Sequence, residues 1–299
     1  MRVDPNMSGA INAGISSTAQ ALNTAVTQLS TGRMVALPSD NPYAAAAYEQ
    51  SLAASANVDR YTRNADAVLS QAQMADSALS NVVSGLTRAV SLGTQAGDGT
   101  LSAADRATIV TELQGVLQGV VSQANTRYNG ASLFAGTSGA AAAFAPDSAS
   151  GSGYSYAGNS GVNHATIGDG LTVATNVPGD QIFASSSGNV LQSLGQLISA
   201  ARSGKADDVA TATNAVSNAI AHVSQQRAVY AGAVTQVTAQ ESYLSQETLS
   251  LTSQQTGLTG VDTATAIQNL TQAQTAHSAV LAVAAKILPT SLLNYLSPQ

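Results

Sequence analysis

Small and apolar side chains recur from Tyr61 onward in steps that alternate between four and three: Ala65, Val68, Ala72, Ala75, Leu79, Val82, Leu86, Ala89, Gly93 and Ala96. This is the seam of a heptad pattern, which keeps one stripe of a helix against a partner. Carried back to Pro42, it predicts one helix of about 55 residues, on the order of 80 Å at 1.5 Å per residue. Asn41-Pro42 starts it, because Pro at the first helical position gives up only an amide that has no partner there; Gly97-Asp98-Gly99 stops it. A second helix is predicted after Ser102, with Asp105 three residues on in a capping arrangement. Its seam is Val110, Leu113, Leu117, Val120 and Ala124, and Asn129-Gly130 ends it. The short link over residues 97–102 favours an antiparallel hairpin of the two helices.

The C-terminal half follows the same rule. Leu191, Leu194 and Ile198 mark a short helix that stops near Ser203-Gly204. Val216, Ile220, Val223, Tyr230, Val234, Val237, Leu244 and Leu251 then share one heptad track. Arg227, Glu241 and Thr248 are its polar members, residues that set register at some cost in stability. A last helix carries Ile267, Leu270, His277, Leu281, Ala284 and Leu288, and a weaker N-terminal track runs Ile11, Ile15, Leu22, Leu29. Residues 136–189 differ, being rich in Gly, Ser and Ala. There Leu171, Val173, Thr175 and Val177 alternate with Thr172, Ala174 and Asn176 as a strand with one buried face. Pro178-Gly179 reads as a turn, and Ile182-Phe183 as the start or continuation of a paired strand.

The expected fold is therefore mainly α. Long antiparallel helices from both chain ends form a coiled-coil-like rod, with a small central β domain at the end opposite the termini. The expected division is residues 1–32 with 258–299 as a terminal helical domain, 33–132 with 189–257 as a helical rod domain, and 133–188 as a small β domain.

Composition adds limits. Hydrophobic residues are 44% but aromatics only 4%, with no Trp, so the apolar content is mostly Ala, Val and Leu and suits close helix packing. Charged residues are 9%, against roughly 25% in an average soluble domain, which leaves a surface tolerant of contact with copies of itself. The net charge is −6, and the lysines are Lys205 and Lys286 alone; no basic footprint for nucleic acid exists. Absence of cysteine excludes disulfides, thiolate metal sites and cysteine nucleophiles. The opening Met-Arg-Val-Asp-Pro-Asn lacks the pattern of a cleaved secretory signal. No apolar run approaches the ~18 residues of a spanning helix, so no membrane insertion is expected.

Candidate chemistry is sparse. His164, His222 and His277 are far apart in sequence, with no metal-ligand partner at helical spacing. Asp98 and Asp169 sit in Gly-Asp-Gly, which reads as a turn rather than a calcium loop, since alternating carboxylates and a closing Glu are missing. Asp207-Asp208 opens a predicted helix, where negative charge is favourable in any case. Neither a phosphate loop nor a nucleophile elbow is present. No enzyme, no cofactor and no metal are expected.

Leu29-Ser30-Thr31-Gly32-Arg33 followed by Leu37-Pro38-Ser39-Asp40-Asn41-Pro42-Tyr43-Ala44-Ala45-Ala46 resembles the N-terminal signature of the flagellin family. Gln95 to Ser102 with Asp105-Arg106, Tyr128-Asn129-Gly130 through Leu133 to Thr137, and Leu292-Leu293-Asn294-Tyr295-Leu296 are similar to later blocks of the same family, in the same order. Within it, the middle segment resembles the single small β domain of the hook-filament junction proteins. The blocks that carry this are Gly153 to Asn159, Ile167 to Gly170 and Asn176 to Phe183. A minor flagellin is the alternative. The chain departs in having Asn41 where a second Asp is usual, which caps a helix equally well, and in a weakly matching first 20 residues.

The resemblance implies a structural subunit of the bacterial flagellum, extracellular and exported unfolded through the flagellar apparatus without a cleaved signal. It implies a homo-oligomer in a ring or helical layer, with an adjacent hook-associated protein, flagellin and an export chaperone as partners. The terminal segments are too narrow to form a broad core together. Their apolar faces are therefore the candidate assembly interface: Ile11, Ile15, Leu22, Leu29, Leu281, Leu288, Leu292, Leu293, Tyr295 and Leu296. They are expected to be mobile in the free monomer and to order on assembly.

Overall fold

A computed structural model describes residues 5–35, 38–186 and 188–296, with side chains from residue 9 to residue 286 of these ranges. The chain is 72% helical, with long helices at both ends and a small β region in the middle. The helices are α1 (Pro5–Thr31), α2 (Pro42–Ala96), α3 (Ala103–Ala124), α4 (Gly179–Phe183), α5 (Val190–Ser203), α6 (Ala206–Thr259) and α7 (Thr263–Leu296). Four antiparallel two-stranded hairpins lie between α3 and α5: β1 (Arg127–Tyr128) with β2 (Ala131–Ser132), and β3 (Phe144–Pro146) with β4 (Tyr154–Tyr156). The others are β5 (His164–Gly168) with β6 (Leu171–Ala174), and β7 (Ala184–Ser185) with β8 (Gly188–Asn189). The contacts divide the chain into two compact units, Val58–Gln246 and the pair Met1–Asn57 with Glu247–Gln299.

In the 58–246 unit, every seam position of α2 from Ala65 to Ala96 is buried, as are Val110, Leu113, Leu117, Val120 and Ala124 of α3. The two helices run antiparallel, tied by Arg88 Nη2 to Glu112 Oε2 at 2.6 Å and Asn81 Nδ2 to Gln123 Oε1 at 3.4 Å. Ser102 caps α3 as expected, its Oγ accepting from Asp105 N at 3.2 Å and donating to Asp105 Oδ2 at 2.7 Å. On α6, Val216, Val223, Tyr230, Val237 and Leu244 are buried on the predicted track. A Cβ on Gly93 would stand 2.4 Å from Thr213 Oγ1, so α2 and α6 approach closely there and the small residue is required.

Two polar members of the α6 track meet partners from α2. Arg227 grips Asp76 with two bonds, Nε to Oδ1 at 2.8 Å and Nη2 to Oδ2 at 3.1 Å. Glu241 faces another carboxyl, Asp66. Desolvation first, then the Asp66 charge and hydrogen bond, hold the Glu241 carboxyl above its usual range, and its Oε1 has no hydrogen-bond partner among the described residues. Tyr230 is 3% exposed and accepts Val177 N–H at 3.1 Å; burial pushes its phenol up to about 12.

The β region is pinned by the three phenylalanines of the chain. Phe183 meets Phe134 and Phe144 edge-on, each at 5.4 Å between centroids, and Phe144 tilts against Tyr156 at 5.2 Å. Asn125 clamps β3 with both ends of its amide, to Phe144 O at 2.9 Å and from Phe144 N at 2.8 Å. Separately, Ile167 and Val173 of the β5–β6 hairpin pack on Ala65, Val68 and Val237.

Three expectations need correction. α3 ends at Ala124, before Asn129-Gly130, because Asn125 turns its amide to β3. Asn129 (φ 48) and Gly130 (φ 83) instead make the tight turn of β1–β2, where both central residues need positive φ. β6 stops at Ala174, since Thr175 N donates to Asn163 O at 2.8 Å and the Asn176 side chain accepts Asn163 N–H at 2.7 Å in place of a ladder. Ile182-Phe183 are not strand but the end of α4, which opens at Pro178-Gly179 and buries both side chains.

Candidate assembly interface

The unit of Met1–Asn57 with Glu247–Gln299 holds both terminal helices, and the sequence-predicted interface lies on them. α1 and α7 pack along one another. They run antiparallel: Thr18 Oγ1 lies 3.0 Å from His277 Nδ1, and a Cβ on Gly14 would meet Val280 Cγ1 at 3.6 Å. Buried and half-buried positions on α1 step through Ile11, Ile15, Thr18, Leu22, Ala25 and Leu29; on α7 they step through Ala266, Leu270, Ala273, His277, Val280 and Ala284. Both series alternate four and three, the geometry of a paired seam.

Ile11, Ile15, Leu22 and Leu29 thus lie half buried on the seam side of α1. Leu281 lies off the α7 seam and is exposed. The side chains of Leu288, Leu292, Leu293, Tyr295 and Leu296 fall outside the described residues. Sequence reasoning grouped Ile267 with the α7 stripe, yet it is 53% exposed. It also missed Ala266, Ala273 and Val280; counting alanines as seam residues, as on α2, would have found them.

Among the described residues of the pair, small side chains are the ones most fully covered. The buried apolar positions there are Ala25, Ala266, Ala273 and Ala284, while Val26, Ile267, Leu281 and Val283 are each about half exposed. At roughly 25 cal/mol per Å² removed from water, burying those larger side chains would contribute more than the alanines do.

The junctions flanking the helices are firmly built. Gly32 (φ 68) ends α1, and Arg33 bridges Gly260, with Met34 N donating to Thr259 O at 2.7 Å and Val261 N to Gly32 O at 3.0 Å. The Arg33 guanidinium lies 4.6 Å from the centroid of the Tyr48 ring. Asn41 caps α2 through Ala44 N at 3.1 Å. Asp262 caps α7 through Ala264 N at 3.1 Å and Thr265 Oγ1 at 2.7 Å; the Thr265 bond is the main reason its carboxyl sits below the usual range. The signature around Gly32, Arg33 and Asn41 is thus explained by chain geometry, without chemistry at a ligand.

Nor do the other candidates converge. His222 Nε2 lies 2.8 Å from Gln181 O, His164 lies on β5 and His277 meets Thr18. Asp98 is held by Thr100 N and Oγ1 at 3.0 and 2.8 Å, which lowers its pKa and makes it a turn residue. Asp207 and Asp208 occupy the first turn of α6. Among the described residues no three His, Asp or Glu side chains gather to hold a metal, and no helix is long and apolar enough to cross a membrane.

The architecture and the motif positions have counterparts. Residues 5–139 match the family model of the bacterial flagellin N-terminal helical region. The chain carries this match over less than half of its length. It is 34% identical over 165 residues to flagellar hook-associated protein 3 of Salmonella typhimurium, a match spanning 55% of this chain and 50% of that relative. The chain thus spans about half the length of the relative it matches. A solved structure provisionally named a flagellar hook-associated protein, from Vibrio parahaemolyticus, superposes with a TM-score of 0.68 at 22% identity, covering 73% of this chain and 99% of that one. The flagellar junction protein FlgL from Legionella pneumophila superposes at 0.59 and 15% identity, covering 72% of this chain and all (100%) of that one. These likenesses establish a shared fold.

Proposed function

We propose that the chain is a non-enzymatic structural subunit of the bacterial flagellum, an adaptor between hook and filament. The observation that carries this reading is the terminal unit, which buries alanine and leaves larger apolar side chains on α1 and α7 half exposed. Copies of the chain bury those faces against one another in a ring or helical layer. An adjacent hook-associated protein lies on one side and flagellin on the other. The likeness to flagellar hook-associated protein 3 supports the junction reading over that of a minor flagellin. The low charge and absent cysteine suit passage as an unfolded chain, held by an export chaperone, to an extracellular site. The terminal segments, residues 1–32 with 258–299, act as an assembly domain that orders fully on joining, and 133–188 as a separate small β domain.

Deletion of the gene with electron microscopy tests this. The expected outcome is hooks without filaments and flagellin shed into the medium. Intact filaments in the deletion strain overturn the adaptor role and favour a minor flagellin.

A further inference from the structure

A cavity of about 320 Å³ opens in the 58–246 unit where α2, the β1–β2 hairpin and the loops at 133–139, 163 and 175–176 meet. Its wall includes Gln71, Tyr128, Ser138, Asn163 and Asn176 and contains no Asp, Glu, Lys, Arg or His. Part of this wall is already committed. Buried Asn176 accepts from Asn163 N at 2.7 Å and donates to Gly161 O at 3.1 Å, and Ser138 Oγ donates to Ala135 O at 2.9 Å. The Gln71 amide, the Tyr128 hydroxyl and the Asn163 amide have no hydrogen-bond partner among the described residues. Gln71 on α2, Tyr128 on β1 and Asn163 in the loop before β5 thus line one space with side chains whose polar groups have no protein partner, beside Ser132, whose buried Oγ has none either, on a frame that is itself tied down.

We propose that this cavity binds a neutral sugar residue. Two amides and a phenol present donors and acceptors together, which is what a ring of hydroxyls needs, since each hydroxyl both donates and accepts. An anion or a cation finds no opposite charge in the wall. An apolar ligand strands three polar groups without partners, which is unfavourable. The volume falls within the usual range of small-molecule pockets and leaves room for one monosaccharide unit.

Saturation-transfer and chemical-shift NMR on the full chain test this, with the methyl glycosides of glucose, galactose, mannose and N-acetylglucosamine as probes and sodium phosphate as the charged control. At least one glycoside is expected to saturate in the millimolar range, roughly 1–10 mM, with phosphate silent. Gln71→Ala and Asn163→Ala, both on solvent-accessible side chains, are each expected to weaken it roughly fivefold with an unchanged melting temperature. If none of the four saturates, or if both variants bind as the parent does, the site is not a sugar site. If phosphate competes, the neutral-ligand assignment is wrong.

Discussion

The 58–246 unit and the unit of the two chain ends are built from helices whose seams step by four and three, yet what fills the seams differs. In the first, Leu79, Leu86, Leu113, Leu194, Phe134 and Phe183 are fully buried, and all of the largest fully buried side chains fall there. In the second, among the described residues of α1 and α7, the buried apolar side chains are alanines, Ile11, Ile15, Leu22, Leu29, Leu270 and Val280 are half buried, and Val26, Ile267, Leu281 and Val283 stay about half exposed. A leucine in place of an alanine buries about three more carbon groups, on the order of 2 kcal/mol per position at about 0.8 per methylene. The same spacing therefore goes with a core of large side chains in one unit and, among the described residues, with exposed larger apolar side chains in the other, which is what the proposed pairing surface requires. Heptad spacing states where a helix is covered; side-chain size states whether its own chain suffices.

The comparison breaks most visibly if the units are separated. Fragment 58–246 is expected to unfold cooperatively in urea with a midpoint near that of the parent's main transition, whereas fragments 1–57 and 247–299, mixed, show no such transition by circular dichroism. An unfolded 58–246 fragment would refute the claim of self-sufficiency. Next in size, Leu86→Ala is expected to cost about 2–5 kcal/mol in the main transition, while Ala273→Gly costs about 1 kcal/mol and speeds proteolysis of the ends alone. Equal protease resistance of ends and centre in the parent would count against the pairing-surface view. Smaller still, Asp76→Ala is expected to lose about 0.2–1 kcal/mol, because the Arg227–Asp76 pair is partly solvated; a double-mutant cycle measures it.

Glu241 sharpens the comparison from another side. Its folded pKa is raised above the ordinary 4.5. The protonated carboxyl is thus favoured by the fold, so its contribution is fully present below about pH 4.5 and is lost as pH rises through the raised value. Glu241→Gln should remove that loss, raising the urea midpoint at pH 7 relative to the parent and leaving the two alike near pH 4. A lower midpoint at both values would show Glu241 stabilising as an anion.

Much of this was legible in the sequence. The α2 seam from Ala65 to Ala96 is buried at every predicted position, and Asn41, Ser102 and Gly204 lie at the helix boundaries predicted for them. Periodicity reads well where many residues vote. The β region read less well, since its elements are two to five residues long and set by single side chains: Asn125 clamping Phe144, Asn176 replacing a ladder, and a Gly179 whose Cβ would crowd Phe134 O at 2.7 Å. On α7, Leu270, His277 and Ala284 lie on the seam as read, but Ile267 and Leu281 stand one step off it, beside the covered Ala266 and Val280. The sugar cavity left no sequence signal, because Gln71, Tyr128 and Asn163 come together only through the fold.

The hydrogen bond between Thr18 and His277 joins residues 259 apart. Closing so long a span carries an entropic cost that grows with the logarithm of its length. It grows no shorter with time unless the intervening chain condenses first. Folding of 58–246 first would take most of that span out of the loop to be closed. Because a ribosome releases the N-terminus first, α1 is made long before α7, the helix it pairs with. On loop-closure cost alone, a chain of this topology is expected to close its core early and its ends last.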